Sequence, residues 1–106
     1  MDTGFGDDAA VIRPSGRLTM VSAPQLRSMV VKAVEEHRIR VVVDLSATEF
    51  MDSSGLGALI AGLKTTRQAG GDLRIACMGP QVATIIQLAN LDRVLRPYTT
   101  VAEALQ

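Results

Sequence analysis

Residues 41–57 read VVVDLSATEFMDSSGLG, and the fold turns on how this stretch is read. The run over residues 40–45 (RVVVDL) is rich in β-branched side chains, the pattern of a strand buried on both faces. A loop follows, and then Asp52-Ser53-Ser54-Gly55 opens a helix. Leu56, Leu59, Ile60 and Leu63 recur along one face of residues 54–69 at helical spacing. Gly70-Gly71 ends that helix with residues that accept the left-handed conformation common after helices. Strand, loop, helix and turn in this order form the repeating unit of an α/β sheet.

The flanks extend the pattern. Toward the C-terminus, residues 73–77 (LRIAC) read as a strand. Gly79-Pro80 opens a helix carrying Val82, Ile85, Ile86 and Leu88. Residues 93–96 (RVLR) read as a last short strand, and residues 100–105 as a closing helix with Val101, Ala104 and Leu105 on its apolar side. Toward the N-terminus, Ser22 with Pro24 and Gln25 has the form of a capping box. It precedes a helix with Leu26, Met29, Val30, Ala33 and Val34 on one stripe, running to about His37. Residues 9–13 (AAVIR) and 17–21 (RLTMV) read as strands joined through Pro14-Ser15-Gly16, a hairpin. Residues 1–8 (MDTGFGDD) are polar and glycine-rich and read as a flexible segment, so the domain proper spans 9–106. The expected architecture is one α/β domain: a mixed sheet of four or five strands with helices mainly on one face.

Composition narrows function. A chain of 106 residues is the size of one domain. Eleven Lys and Arg balance eleven Asp and Glu, so no strong field for nucleic acid or anionic lipid is expected. Phe5, Phe50 and Tyr98 are the whole aromatic complement, too few for a base-stacking platform. One cysteine, Cys77, and one histidine, His37, exclude a Cys-x-x-Cys pair and the usual zinc clusters; Cys77 reads as a small buried hydrophobe. No stretch approaches the roughly 20 apolar residues of a membrane span, and no signal peptide opens the chain. The cytoplasm is the expected compartment, with no membrane insertion.

The loop before Ser53 lies at the carboxyl end of a buried strand, where open α/β sheets place their ligand sites. Two hydroxyls stand at a helix start, where free N–H groups and the helix dipole favour negative charge. The residues alone leave two readings. Asp52 or Ser53 caps the helix, a contribution of about 1 kcal/mol; or the segment is a functional site. Gly55 and Gly57 each cost up to about 1 kcal/mol against Ala in a helix, which implies that another backbone or a partner approaches closely. Enzyme chemistry fits poorly. The chain lacks Gly-x-Ser-x-Gly and a Walker loop, and a serine triad would have to use His37 at the end of another helix.

Residues 50–57 (FMDSSGLG) resemble the signature of the STAS-domain anti-sigma factor antagonists of bacteria. The resemblance continues through Gly16-Arg17-Leu18, residues 40–45, Ala69-Gly70-Gly71-Asp72-Leu73, Gly79-Pro80-Gln81-Val82 and Leu91-Asp92-Arg93-Val94. It implies a STAS-like domain that binds a partner without catalysis or cofactor of its own. The serine after the motif's aspartate, Ser53 here, would be phosphorylated by an anti-sigma factor that is a serine kinase using ATP. The unphosphorylated form would bind the anti-sigma factor and free a sigma factor, and a phosphatase would reset the cycle. The implied partner surface comprises Thr19, Met51, Asp52, Ser53, Ser54, Gly55 and Leu56. An exposed Met51 would suit an adaptable interface. Arg17 and Thr19 stand where the family often carries acidic residues. The alternative reading is a STAS module docking the ATPase of an ABC-type membrane transporter, with no serine phosphorylated.

Overall fold

In the computed structural model, which describes residues 2–5 and 8–106, the elements run β1 (Asp2–Phe5), β2 (Ala9–Arg13), β3 (Gly16–Leu18), α1 (Ala23–Glu35), β4 (Arg40–Asp44), β5 (Thr48–Met51), α2 (Ser53–Gln68), β6 (Asp72–Ala76), α3 (Pro80–Leu88), α4 (Asp92–Leu95), β7 (Pro97–Tyr98) and α5 (Val101–Ala104). Five strands form one mixed sheet in the order β1-β2-β4-β6-β7. Its β1–β2 pair is antiparallel and its other pairs are parallel. A separate parallel pair, β3–β5, stands beside it.

The branched run forms the centre of the sheet. Val41, Val42 and Val43 are 1%, 2% and 0% exposed, so both faces of β4 are covered. In register, Ala10, Val41 and Leu73 form one row and Ile12, Val43 and Ile75 the next. These rows meet Leu26 and Val30 of α1, Leu59 and Leu63 of α2, and Val82 and Ile86 of α3 in one core. Burying each large aliphatic side chain contributes roughly 1.5–3 kcal/mol. The opposite face is covered by α5, through Ala104 against Val42 and Ala76. Arg74 Nη1 pins α5 by donating to the carbonyls of Ala104 (3.0 Å) and Gln106 (2.9 Å), and the Arg40 guanidinium donates to that of Leu105. The mixed sheet with helices mainly on one face matches the expected architecture.

Four local expectations are corrected. The hairpin does not form. Burial of Ala10 and Ile12 against Val41 and Val43 aligns β2 with β4, and the chain leaves the main sheet at Pro14-Ser15. Gly16, at φ 75°, redirects it so that β3 pairs with β5, a segment read as loop. Thr48 Oγ1 seals this corner by donating to the Pro14 carbonyl at 2.9 Å. Ser22 stands at the N-cap of α1, but its side chain makes no capping bond. Its Oγ donates to the Arg17 carbonyl (2.8 Å) and accepts from Thr19 N–H (3.2 Å), closing the β3–α1 turn. Residues 93–96 are not a strand: Asp92–Leu95 is one helical turn that buries Leu95, and the last strand is Pro97–Tyr98. Four residues are too few for either period to declare itself. Within the polar segment 1–8, Asp2–Phe5 pairs as an edge strand, from Asp2 opposite Arg13 to Phe5 opposite Ala10. An edge strand pairs through its backbone and does not need an apolar pattern. Residues 1, 6 and 7 of that segment lie outside the described residues.

Candidate functional site

The start of α2 is built by Asp52. Its backbone is extended (φ −116°, ψ −169°), and its Oδ1 accepts from Ser54 N–H at 2.9 Å and Gly55 N–H at 3.2 Å. Such a cap contributes about 1 kcal/mol. Of the roles open to Asp52 in the sequence, capping is the one its bonds make. Ser53 is therefore the first helical residue. It is exposed, and its Oγ hydrogen-bonds to none of the described residues. The hydroxyl stands on a preformed helix end with no internal bond to surrender. Ser54 is half-buried and gives its N–H to the cap.

Gly55 explains itself by packing. A β-carbon built there would lie 2.6 Å from the Leu18 carbonyl oxygen and 2.7 Å from Met51 Cγ. The close approach inferred from this glycine is that of the chain's own β3, whose Leu18 carbonyl also accepts from Asp52 N–H at 3.4 Å. Met51 is fully buried. The expectation of an exposed, adaptable Met51 is corrected: a methionine in the core under the site supports the surface and cannot touch a partner. Gly55 is likewise buried, while Leu56 is half-buried and packs on the core.

Two features leave no mark in the sequence pattern. Gln81, at the start of α3, acts as a third strand one residue long. Its Nε2 donates to the Met51 carbonyl at 3.0 Å and its Oε1 accepts from Met51 N–H at 2.9 Å. These backbone groups lie at a fully buried residue, and each left unpaired would cost about 1–3 kcal/mol. No local signal marks a glutamine as such a clamp. The second feature is the β3–α1 turn. Thr19 is half-buried and its carbonyl accepts from Ala23 N–H at 2.8 Å. Beyond it, Met20 and Val21 are 75% and 88% exposed, an apolar pair two and three residues past Leu18. Assigning them to a strand conceals them.

Charge around the site is mixed. Glu49 is exposed on β5, the Arg17 guanidinium lies over the Phe50 ring at 4.4 Å, and Arg27 of α1 reaches α2 at Gly57. The carboxyl end of the main sheet is differently furnished. Asp44 is buried, with Oδ2 3.2 Å from Arg13 Nε and Oδ1 accepting from Ser46 N–H at 2.9 Å. Burial pushes its carboxyl up, but the hydrogen bonds from Ser46 and Arg13 outweigh it and leave it below the usual carboxylate range. Burial and the neighbouring Asp44 carboxylate push the Cys77 thiol up, away from the reactive thiolate. Cys77 itself is half-buried, its backbone left-handed at φ 62°. His37 is exposed just past α1 and takes no part in the site.

No helix among the described residues is long and apolar enough to cross a membrane. The family model described as "STAS domain" matches residues 2–104. The chain is similar to the anti-sigma F factor antagonist of Paenibacillus polymyxa, 27% identical over 96 residues, covering 90% of this chain and 82% of that protein. It is 30% identical over 98 residues to an anti-sigma-F factor antagonist of Mycobacterium tuberculosis, covering 91% of this chain and 78% of the relative. The crystal structure of an anti-sigma factor antagonist from Mycobacterium paratuberculosis superposes with a TM-score of 0.85 at 32% identity, covering 97% of this chain and 87% of that one.

Proposed function

We propose that this chain, which belongs to the STAS-domain family, is an anti-sigma factor antagonist, a cytoplasmic binding module whose docking surface centres on Ser53. Its partner is an anti-sigma factor that is also a serine kinase, and a phosphatase reverses the modification. The observation that carries this reading is the exposed Ser53 hydroxyl, unbonded to the described residues, on a helix start already capped by Asp52. The surrounding surface is Thr19, Met20, Val21, Asp52, Ser54 and Leu56, with Met51 and Gly55 holding it from beneath.

The chemistry asks little of this chain. The kinase forms a bond from Ser53 Oγ to the γ-phosphorus of ATP as the bond to the bridging oxygen of ADP breaks, and the hydroxyl proton leaves. The substrate's part is presentation: the hydroxyl sits at a fixed point and no hydrogen bond must be broken first. The phosphate adds about −1.5 to −2 charge. A helix start tolerates that charge, and the cap N–H groups are already taken by Asp52, so the fold persists while the surface gains negative charge. Against an acidic patch on the partner about 6 Å away, each unit of charge costs roughly 1–3 kcal/mol, up to about a hundredfold in affinity.

The test is incubation with the cognate kinase and ATP, followed by mass spectrometry and binding titrations. Phosphate is expected on Ser53. Ser53→Ala is expected to bind the anti-sigma factor as the native chain does, and Ser53→Asp at least several-fold more weakly. Equal affinities for the two variants would sink the switch.

A further inference from the structure

We propose that Arg27 is the internal counter-ion of phosphorylated Ser53, and that Gly57 is a glycine because that guanidinium passes over it. A β-carbon built on Gly57 would stand 3.2 Å from Arg27 Nη2, so the arginine of α1 lies against the start of the second turn of α2. Ser53 is four residues before Gly57 on the same helix, which puts the two on one face about 6 Å apart. Helical side chains lean toward the N-terminus, so the arginine has to reach back one turn, which its length permits.

Arg27 is exposed and makes no hydrogen bond, ion pair or ring contact to any described residue. Arg13, Arg40, Arg67 and Arg74 are ion-paired, and Arg17 lies on Phe50. Asp52 Oδ1 accepts from two backbone N–H groups, and the Asp52 carboxylate makes no ion pair with Arg27. Among the described residues the guanidinium thus has no partner, and it lies one helical turn from the position where a dianion would appear. Its planar fork matches phosphate oxygens in a two-point contact. Phosphorylation then changes two charges together: it adds an anion and withdraws the cation that a docking partner would otherwise meet.

The proposal rests on Ser53 being the phosphoacceptor, and its test is independent of any kinase. Phosphoserine is installed at position 53 during synthesis of the full chain, and the phosphate is titrated by phosphorus NMR. The charged groups on the elements around it are Glu49 and Arg17 of the small sheet, Asp52 at its own helix start, and Arg27 of α1. In Arg27→Ala the phosphate pKa is expected to rise by about half a unit or more as the opposite charge is lost. Arg27→Lys, keeping charge without the fork, should fall between. Arg93→Ala, which removes an exposed arginine on α4, should not move it. An unchanged pKa in Arg27→Ala, or an equal rise in Arg93→Ala, would overturn the pairing while leaving Ser53 as the acceptor. A kinase that leaves Ser53 unlabelled would overturn the acceptor assignment and not the pairing.

Discussion

Asp44-Leu45-Ser46 and Asp52-Ser53-Ser54 make the same local hydrogen bond: in each, the aspartate Oδ1 accepts from the serine N–H two residues on, at 2.9 Å. The residue between is what differs. Leu45 is fully buried in the core, whereas Ser53 is exposed with its hydroxyl unspent. The surroundings differ in the same sense. Asp44 is buried and bonded to Arg13, so that turn is closed on itself. The side-chain bonds of Asp52 serve to start α2 and leave the middle side chain outside. A shared turn motif therefore carries no function by itself; function follows the direction of the one residue that the turn does not bond.

Swapping out the middle residues breaks this comparison hardest. Leu45→Ala opens a cavity in the core and is expected to cost about 2–5 kcal/mol. Ser53→Ala should stay within about 0.5 kcal/mol of the native chain, as surface changes do. Urea unfolding at neutral pH measures both. Similar losses in the two variants would mean that Ser53 is held by structure and is not free for modification.

Two of the three glycines of α2, Gly55 and Gly57, sharpen it next. In Gly55→Ala the new methyl meets the Leu18 carbonyl, a backbone atom that cannot swing aside, and overpacking of this kind costs about 1–3 kcal/mol. In Gly57→Ala the neighbour is the flexible end of Arg27, so the better helix former should be neutral or stabilising by up to about 1 kcal/mol. Thermal unfolding of both variants separates a packing glycine from one that only leaves room.

These contrasts also show which features of the molecule are legible in its amino-acid sequence. The central strand and the main helices are readable because long-range burial leaves a local trace: the branched run at 40–45 and the apolar stripes of α1, α2 and α3. The strand pairing is not. β3 has three residues, and its partner lies about thirty residues away at Thr48–Met51, so nothing inside 9–21 distinguishes a hairpin from two parallel alliances. Reading a hairpin there hides the exposed Met20 and Val21. At the site, Asp52 as cap and Ser53 as an outward hydroxyl follow from Asp-Ser-Ser-Gly, and the oddness of Gly55 correctly announces a close approach. The burial of Met51 and the Gln81 clamp do not follow, because both depend on contacts between elements distant in sequence: Met51 packs against Gly55 of α2 within the core, and Gln81 of α3 bonds the Met51 backbone.

The subtlest difference between the two turns is electrical, and pH exposes it. Asp44 titrates below the usual carboxylate range: burial opposes its charge, but the bonds from Ser46 and Arg13 prevail. Between its folded value and the unfolded value of about 3.9, the folded chain binds fewer protons than the unfolded one. The contribution is whole above the unfolded value and disappears as pH falls through the folded one. Asp44→Asn removes this titration and also replaces a charged acceptor beside Arg13. The variant should be less stable at neutral pH and should lose stability less steeply below about pH 4. Urea midpoints measured from neutral pH down to acid decide the matter. If the two curves run parallel throughout, the closed turn owes its hold on Leu45 to packing alone, and the carboxylate of Asp44 is incidental to it.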